Sequence, residues 1–173
     1  MDVNVLRDLS YGVYIVTSLD GDRKVGCVAN SMMQITSDSA SVAISLNHNN
    51  YTHDCVEKTG RFAVSICSEG TEPLTIGTFG FRSSKDSDKF NGIKYDMKAG
   101  LPIITDNCRG YIICEVTDKL ETATHTVFLG KVIEAEKLLC SSKPMTYAYY
   151  HEVVKGRAPK NAPTYIDPEL EKN

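Results

Sequence analysis

Apolar residues in this chain fall in short runs, several of them spaced two apart. In the segment 61–67, Phe62, Val64 and Ile66 point one way while Ala63 and Ser65 point the other, and Val42, Ile44 and Leu46 repeat the pattern. That period predicts strands with one buried face. Residues 13–17 and 126–133 are apolar on both faces, which predicts central strands covered by helices or by a second subunit. The stretch 111–135 holds two such runs joined by residues 118–124, the spacing of a long antiparallel hairpin.

Helical signals are fewer and shorter. Residues 4–9 form one candidate. Residues 52–58 form a second, with Thr52 as N-cap, Asp54 and Glu57 behind it and Gly60 as the stop; residues 73–79 form a third, opened by Pro73 and closed by Gly80. Strands outnumber helices without a regular βαβ alternation, so the expected class is mainly β, a barrel with a few short helices. No G-x-G-x-x-G follows a strand, which excludes a Rossmann dinucleotide site. From Gly156 onward three prolines and no apolar period predict an extended tail, 156–173, after a domain of residues 1–155.

Composition narrows the function classes. The chain has 173 residues, 42% apolar and 24% charged, enough for one core. Its net charge of -3, with no basic run, argues against nucleic acid, and no stretch approaches the ~20 apolar residues of a membrane helix. A cytoplasmic location, with neither nucleic acid nor membrane as partner, is the expectation. The six cysteines include no C-x-x-C pair, so neither a metal centre nor a dithiol motif is expected; Cys27, Cys67 and Cys114 lie in apolar runs and read as buried thiols.

Three polar segments could together meet the needs of flavin mononucleotide (FMN), which asks for donors to a dianionic phosphate, polar groups at the ring edge and apolar or small residues on its faces. They are VANSMMQITS (28–37), SLNHNNYT (45–52) and FGFRSSKDSDKF (79–90). Taken singly, each reads as turn chemistry or a solvated loop. No Ser-His-Asp order or nucleophile elbow points to hydrolysis.

The ordered segments LRDLSYGVYIVTS, N-x5-TS, SLNHNNYTH, FGFRSSKDSDKF, LPIITDN, THTVFLGKV and PMTYAYYHEVVKG cover nearly the whole chain. In that order they resemble the flavin reductase-like family, in the branch of flavoredoxin-like proteins and the flavin reductase domain of high-molecular-weight rubredoxins. The resemblance implies a six-stranded antiparallel Greek-key split barrel, a homodimer, and FMN near the subunit interface. It places Asn30, Ser31 and Met32 at the ring, Thr36 and Ser37 at the ribityl-phosphate end, Ser45, Leu46 and Asn47 at the ring edge, Asn50 and Thr52 beside them, and Arg82, Ser83 and Lys85 at the phosphate.

His125 corresponds to a family histidine, which stands either beside the nicotinamide and the reactive flavin edge, as the catalytic residue, or hydrogen-bonded between two strands. Tyr149 and His151 read as packing residues, and His53 as part of a short helix near the cofactor. Two departures from the family stand out. Ser39 and Ala40 replace a common proline pair, and Ser83-Ser84-Lys85 replaces Ser-Gly-Arg, where lysine lacks the two-pronged geometry of arginine.

The implied activity is hydride transfer from NADH or NADPH to flavin, with electrons passed to an acceptor such as free flavin or rubredoxin. One alternative is an FMN-carrying electron-transfer protein with little direct NAD(P)H activity. Another is a non-catalytic ligand-binding dimer.

Overall fold

The computed structural model describes residues 3–165. A 3-10 helix, Val3–Asp8, precedes the strands β1 (Tyr14–Asp20), β2 (Arg23–Ala29), β3 (Met32–Thr36) and β4 (Ser41–Asn47). Helix α1 (Tyr51–Thr59), strand β5 (Arg61–Cys67) and helix α2 (Pro73–Phe81) follow, then a small hairpin of β6 (Tyr95–Lys98) and β7 (Leu101–Ile104). The long strands β8 (Cys108–Glu121) and β9 (His125–Lys137) and the short helix α3 (Tyr147–Glu152) complete the order.

The main sheet runs β2-β1-β5-β8-β9-β4-β3, antiparallel throughout. Its two edge strands, β2 and β3, are separated in sequence only by Asn30 and Ser31. One bent strand therefore supplies both edges, and counted so the barrel has the six strands expected. Closure shows in the interior, where Cys27 and Ala29 of β2 share one core with Val42, Ile44 and Leu46 of β4, together with Phe62, Val64, Cys114 and Phe128. The barrel is split at the bend, where Ser45 N–H donates to Ser31 O at 3.0 Å.

The alternation read for β5 holds on its inner face, Phe62 and Val64 being fully buried. Its other face is buried too. Ala63 packs with Leu101, Ile103, Tyr111 and Ile113 beneath the small hairpin, and Ser65 Oγ accepts from Ile104 N at 2.8 Å. On β9 the outer face is left uncovered among the described residues. Val127 and Leu129 are half-buried and Ile133 is 40% exposed.

Helix ends differ from the expected ones for local reasons. Asn50, not Thr52, caps α1, its side chain accepting from Thr52 N at 3.1 Å, because an amide oxygen one residue before the helix reaches the second N–H. Gly60 ends the helix as expected, with a φ of 65° that other residues adopt at a cost. Helix α2 starts on Pro73 but runs through Gly80 to Phe81. The β8–β9 connection is only residues 122–124, since 118–121 continue the ladder to Glu121↔Thr126.

Candidate functional site

A cavity of about 470 Å³, within the usual ~300–1,000 Å³ range of ligand pockets, opens at the split. Its floor is apolar, with Val13 from just before β1, Val28 from β2, Leu46 from β4, and Ile76 and Phe79 from α2. Asn30, Ser45, Asn47, Asn49 and Asn50 bring polar groups to one side, where strands end and α1 begins. Phe81, 57% exposed, adds an aromatic face without full protein cover, and Arg82 and Ser83 follow it along the wall.

The loop after α2 is held against β2 by two buried groups. Ser84 Oγ accepts from Gly26 N and donates to Gly26 O, both at 3.1 Å, and Lys89 Nζ donates to Gly26 O at 2.7 Å and Phe79 O at 3.0 Å. The serine that replaces the family's glycine thus docks the loop. Burial lowers the Lys89 ammonium to about 8, the nearby Cys27 opposing the shift.

Residues 157–163 form the remaining wall. After α3 the chain turns through Lys155, at φ 59°, and Gly156, whose N–H donates to Tyr150 O at 2.9 Å and whose carbonyl lies 2.8 Å from His151 Nδ1. It then crosses the cavity as a strap, fastened where Asn30 Nδ2 donates to Thr164 Oγ1 at 2.7 Å. The tail expected to be extended instead turns over residues 160–164, where Ala162 N–H donates to Pro159 O at 2.9 Å and Tyr165 N–H to Ala162 O at 3.0 Å. It lines the cavity through residue 163, and the rest of the expected tail, 166–173, lies outside the described residues.

His125 stands at the same end. Its Nε2 faces Asn161 O at 3.3 Å and its Nδ1 faces Thr124 Oγ1 at 2.8 Å. Burial lowers its pKa below the ordinary 6.5, with the Asn161 carbonyl opposing and His48 and His53 adding to the shift. The Asn161 carbonyl can only accept, so it selects the neutral ring that donates from Nε2 and accepts at Nδ1, over the longer 3.5 Å approach of the Asn47 amide nitrogen to the same Nε2. His53 lies behind, its Nε2 2.8 Å from Thr126 Oγ1 and its Nδ1 3.0 Å from Asp54.

Of the residues expected at the cofactor, the cavity gathers Asn30, Ser45, Leu46, Asn47, Asn50, Arg82 and Ser83. Ser31 adjoins it, its hydroxyl donating to Asn30 Oδ1 at 3.1 Å. Thr52 lies buried beneath, its Oγ1 without a hydrogen-bond partner among the described residues. Thr36 and Ser37 do not line the cavity, because β3 carries them to the turn before β4, where Thr36 Oγ1 meets Ser39 O at 3.0 Å and Ser41 Oγ at 2.7 Å. Ser39 has a φ of 51° there, which proline cannot take. Met32 faces a second groove with Tyr14, Ile66 and Ile112, and Lys85 is exposed off the wall.

The sequence reading missed Tyr147 and Tyr150, which line the cavity from α3 with near-parallel rings 6.1 Å apart. Their spacing of three residues is the available signal. Tyr149 packs against the core beneath, as expected of a packing residue.

An antiparallel split barrel with a mixed aromatic and polar pocket at the split is the architecture of a flavin-handling protein. Residues 6–156 match the model of the flavin reductase like domain, and the chain belongs to that family. It is 42% identical over 166 residues to high molecular weight rubredoxin of Moorella thermoacetica, covering 95% of this chain and 72% of the relative. It is 39% identical over 168 residues to ferric-chelate reductase (NAD(P)H) of Archaeoglobus fulgidus, covering 96% and 99%. Among solved structures, the NADH:FAD oxidoreductase of Streptomyces globisporus in complex with NAD and FAD fragments matches with a TM-score of 0.73 and 26% identity, over 82% of this chain and 83% of that one.

Proposed function

We propose that the cavity holds FMN and that the protein is an NAD(P)H-dependent flavin reductase passing electrons to an acceptor such as free flavin or rubredoxin. The carrying observation is the cavity itself, which joins an apolar floor and the open face of Phe81 to a cluster of asparagines and to Arg82. These residues fit a planar ring with one polar edge and a phosphate. When bound, the flavin supplies the hydride-accepting chemistry. Asn30, Ser45 and Asn47 orient it, the floor and the strap exclude water, and His125 holds a proton on Nε2 at the cavity's edge. The acid–base pair of a hydrolase is not needed.

Purified protein should be yellow or take up FMN, and its colour should bleach anaerobically on adding NADH or NADPH. A colourless chain that binds no FMN ends this reading. The strap across the cavity favours a second one, an FMN carrier in which the nicotinamide has little room. Stopped-flow reduction by NADH separates the two, since a carrier reacts slowly with the nucleotide and fast with reduced rubredoxin.

The homodimer belongs to this proposal. Met33 and Ile35 on edge strand β3 are 62% and 46% exposed beside the groove that Met32 lines, and Ile133 opens the outer face of β9. A second copy of the chain covers them, and both copies work in the cytoplasm. Light scattering of the purified protein at twice the chain mass is the expected result.

A further inference from the structure

Three side chains with a positive charge reach the cavity wall, Arg82, Arg157 and Lys160, while no Asp or Glu stands among the described residues of that wall. The chain as a whole has more acidic groups than basic ones, 22 against 19. No described carboxylate forms an ion pair with any of the three, whereas Lys58, Lys94 and Lys98 each have one and Lys119 has two. Cations gathered without a counter-charge among the described residues repel one another unless an anion joins them. Two of the three ride on the strap, and both lie beyond residue 156, where the match to the family ends.

The strap is placed by specific contacts. Thr164 Oγ1 receives Asn30 Nδ2 and lies 3.2 Å from Tyr147 Oη, to which it donates, and Asn161 O faces His125. It walls the cavity and leaves about 470 Å³ open, so it is part of a site and not a plug.

We propose that Arg157 and Lys160, carried by the strap, are phosphate-binding residues of the cavity. The inference rests on the flavin reading above and deepens it. The group recognised is a phosphate dianion or pyrophosphate, supplied either by FMN or by the nicotinamide dinucleotide. Arginine grips such a group with two N–H donors and lysine adds a point charge.

The test compares the wild-type chain with the double variant Arg157→Gln, Lys160→Gln. Both positions are exposed, so the fold should tolerate the change. Flavin fluorescence titrations give Kd for FMN and riboflavin, and steady-state assays give KM for NADH and for N-benzyl-dihydronicotinamide, which has no phosphate. A rise of about tenfold in the FMN Kd, with riboflavin within about twofold, supports the proposal with FMN as the source. A similar rise in the NADH KM alone, with the benzyl donor unaffected, supports it with the dinucleotide as the source. Unchanged values for FMN and NADH overturn it, as does equal weakening of FMN and riboflavin, which would mean the strap only packs. A wild-type chain that takes up neither flavin overturns the flavin reading as well, and so is distinguishable from either.

Discussion

The backbone oxygen of Asn161 stands 3.3 Å from Nε2 of His125, joining the strap to the start of β9 across 36 residues of sequence. A backbone acceptor survives any substitution at Asn161, so the ring's orientation is set by where the strap lies. Replacing His125 with Gln should slow reduction by NADH about tenfold while leaving FMN affinity within about twofold, the usual size for a positioned proton-holding group being at least that. Stopped-flow reduction and fluorescence titration check the two halves separately. Equal rates would leave His125 only its role between strands.

The pH dependence of His125 has a definite sign. Its folded pKa lies below 6.5, so the folded protein binds this proton less readily than the unfolded chain. Its contribution to stability is complete above 6.5 and declines as pH falls through 6.5 toward the folded value. The reduction rate should likewise stay level from pH 8 down to 6.5 and fall only below that, as a pH–rate series would record.

Lys89 gives the opposite half of the scale. Its ammonium titrates near 8 when folded against 10.5 when free, so its burial penalty is present in full below 8 and lifts as pH rises from 8 to 10.5. Against Lys89→Met, the chain that keeps Lys89 should gain about 3 kcal/mol in relative stability between pH 7.5 and 10.5. Urea unfolding of both proteins at the two pH values measures it. Both proteins carry Cys27→Ala in this comparison, because burial raises the Cys27 thiol while the Lys89 charge pulls it down, and its titration would otherwise differ between them. The other buried thiols titrate alike and cancel.

Gly130 faces the barrel interior, where an added Cβ would meet Phe62 Cζ at 2.6 Å and Cys114 Cβ at 2.8 Å. Gly130→Ala should cost about 1–3 kcal/mol, since neither neighbour can withdraw within a packed barrel. A lower urea midpoint at unchanged slope is the expected signature.

Breaking the strap's fastening should show without any assay of activity. Thr164→Val removes the acceptor of Asn30 Nδ2, a hydrogen bond worth about 1 kcal/mol. Trypsin should then cut after the exposed Arg157 and Lys160 about fivefold faster. Saturating FMN should slow the cut in the wild-type protein, and mass spectrometry of the fragments reads both effects.

Local periodicity made the strands legible. Phe62 and Val64 declare an inner face because a strand's side chains alternate. That Ala63 and Ser65 are equally buried was not legible, since their cover arrives from residues 101–104, some forty positions away. Gly60 announced the end of α1, whereas the cap at its start was misplaced by two residues because Asn50 and Thr52 are both capable of the role. Segment order pointed to Asn30, Asn47 and Arg82, but it also offered Thr36 and Ser37, which β3 carries off the cavity wall. The prolines after 156 suggested an extended chain, but told neither of the turns at 160–164 nor of where the segment runs, because the contact that fixes it, Asn30 with Thr164, spans 134 positions.

The walls of the cavity come from segments between Val13 and Pro163, drawn from sheet, helices and strap alike. A molecule lodged there would cross-brace nearly the whole polypeptide, so occupancy should register as global melting resistance, about 2.7 kcal/mol at a hundredfold excess over Kd. Empty copies would then be the ones that proteases remove first, and the amount of this protein in a cell would follow the supply of the vitamin from which flavins are made.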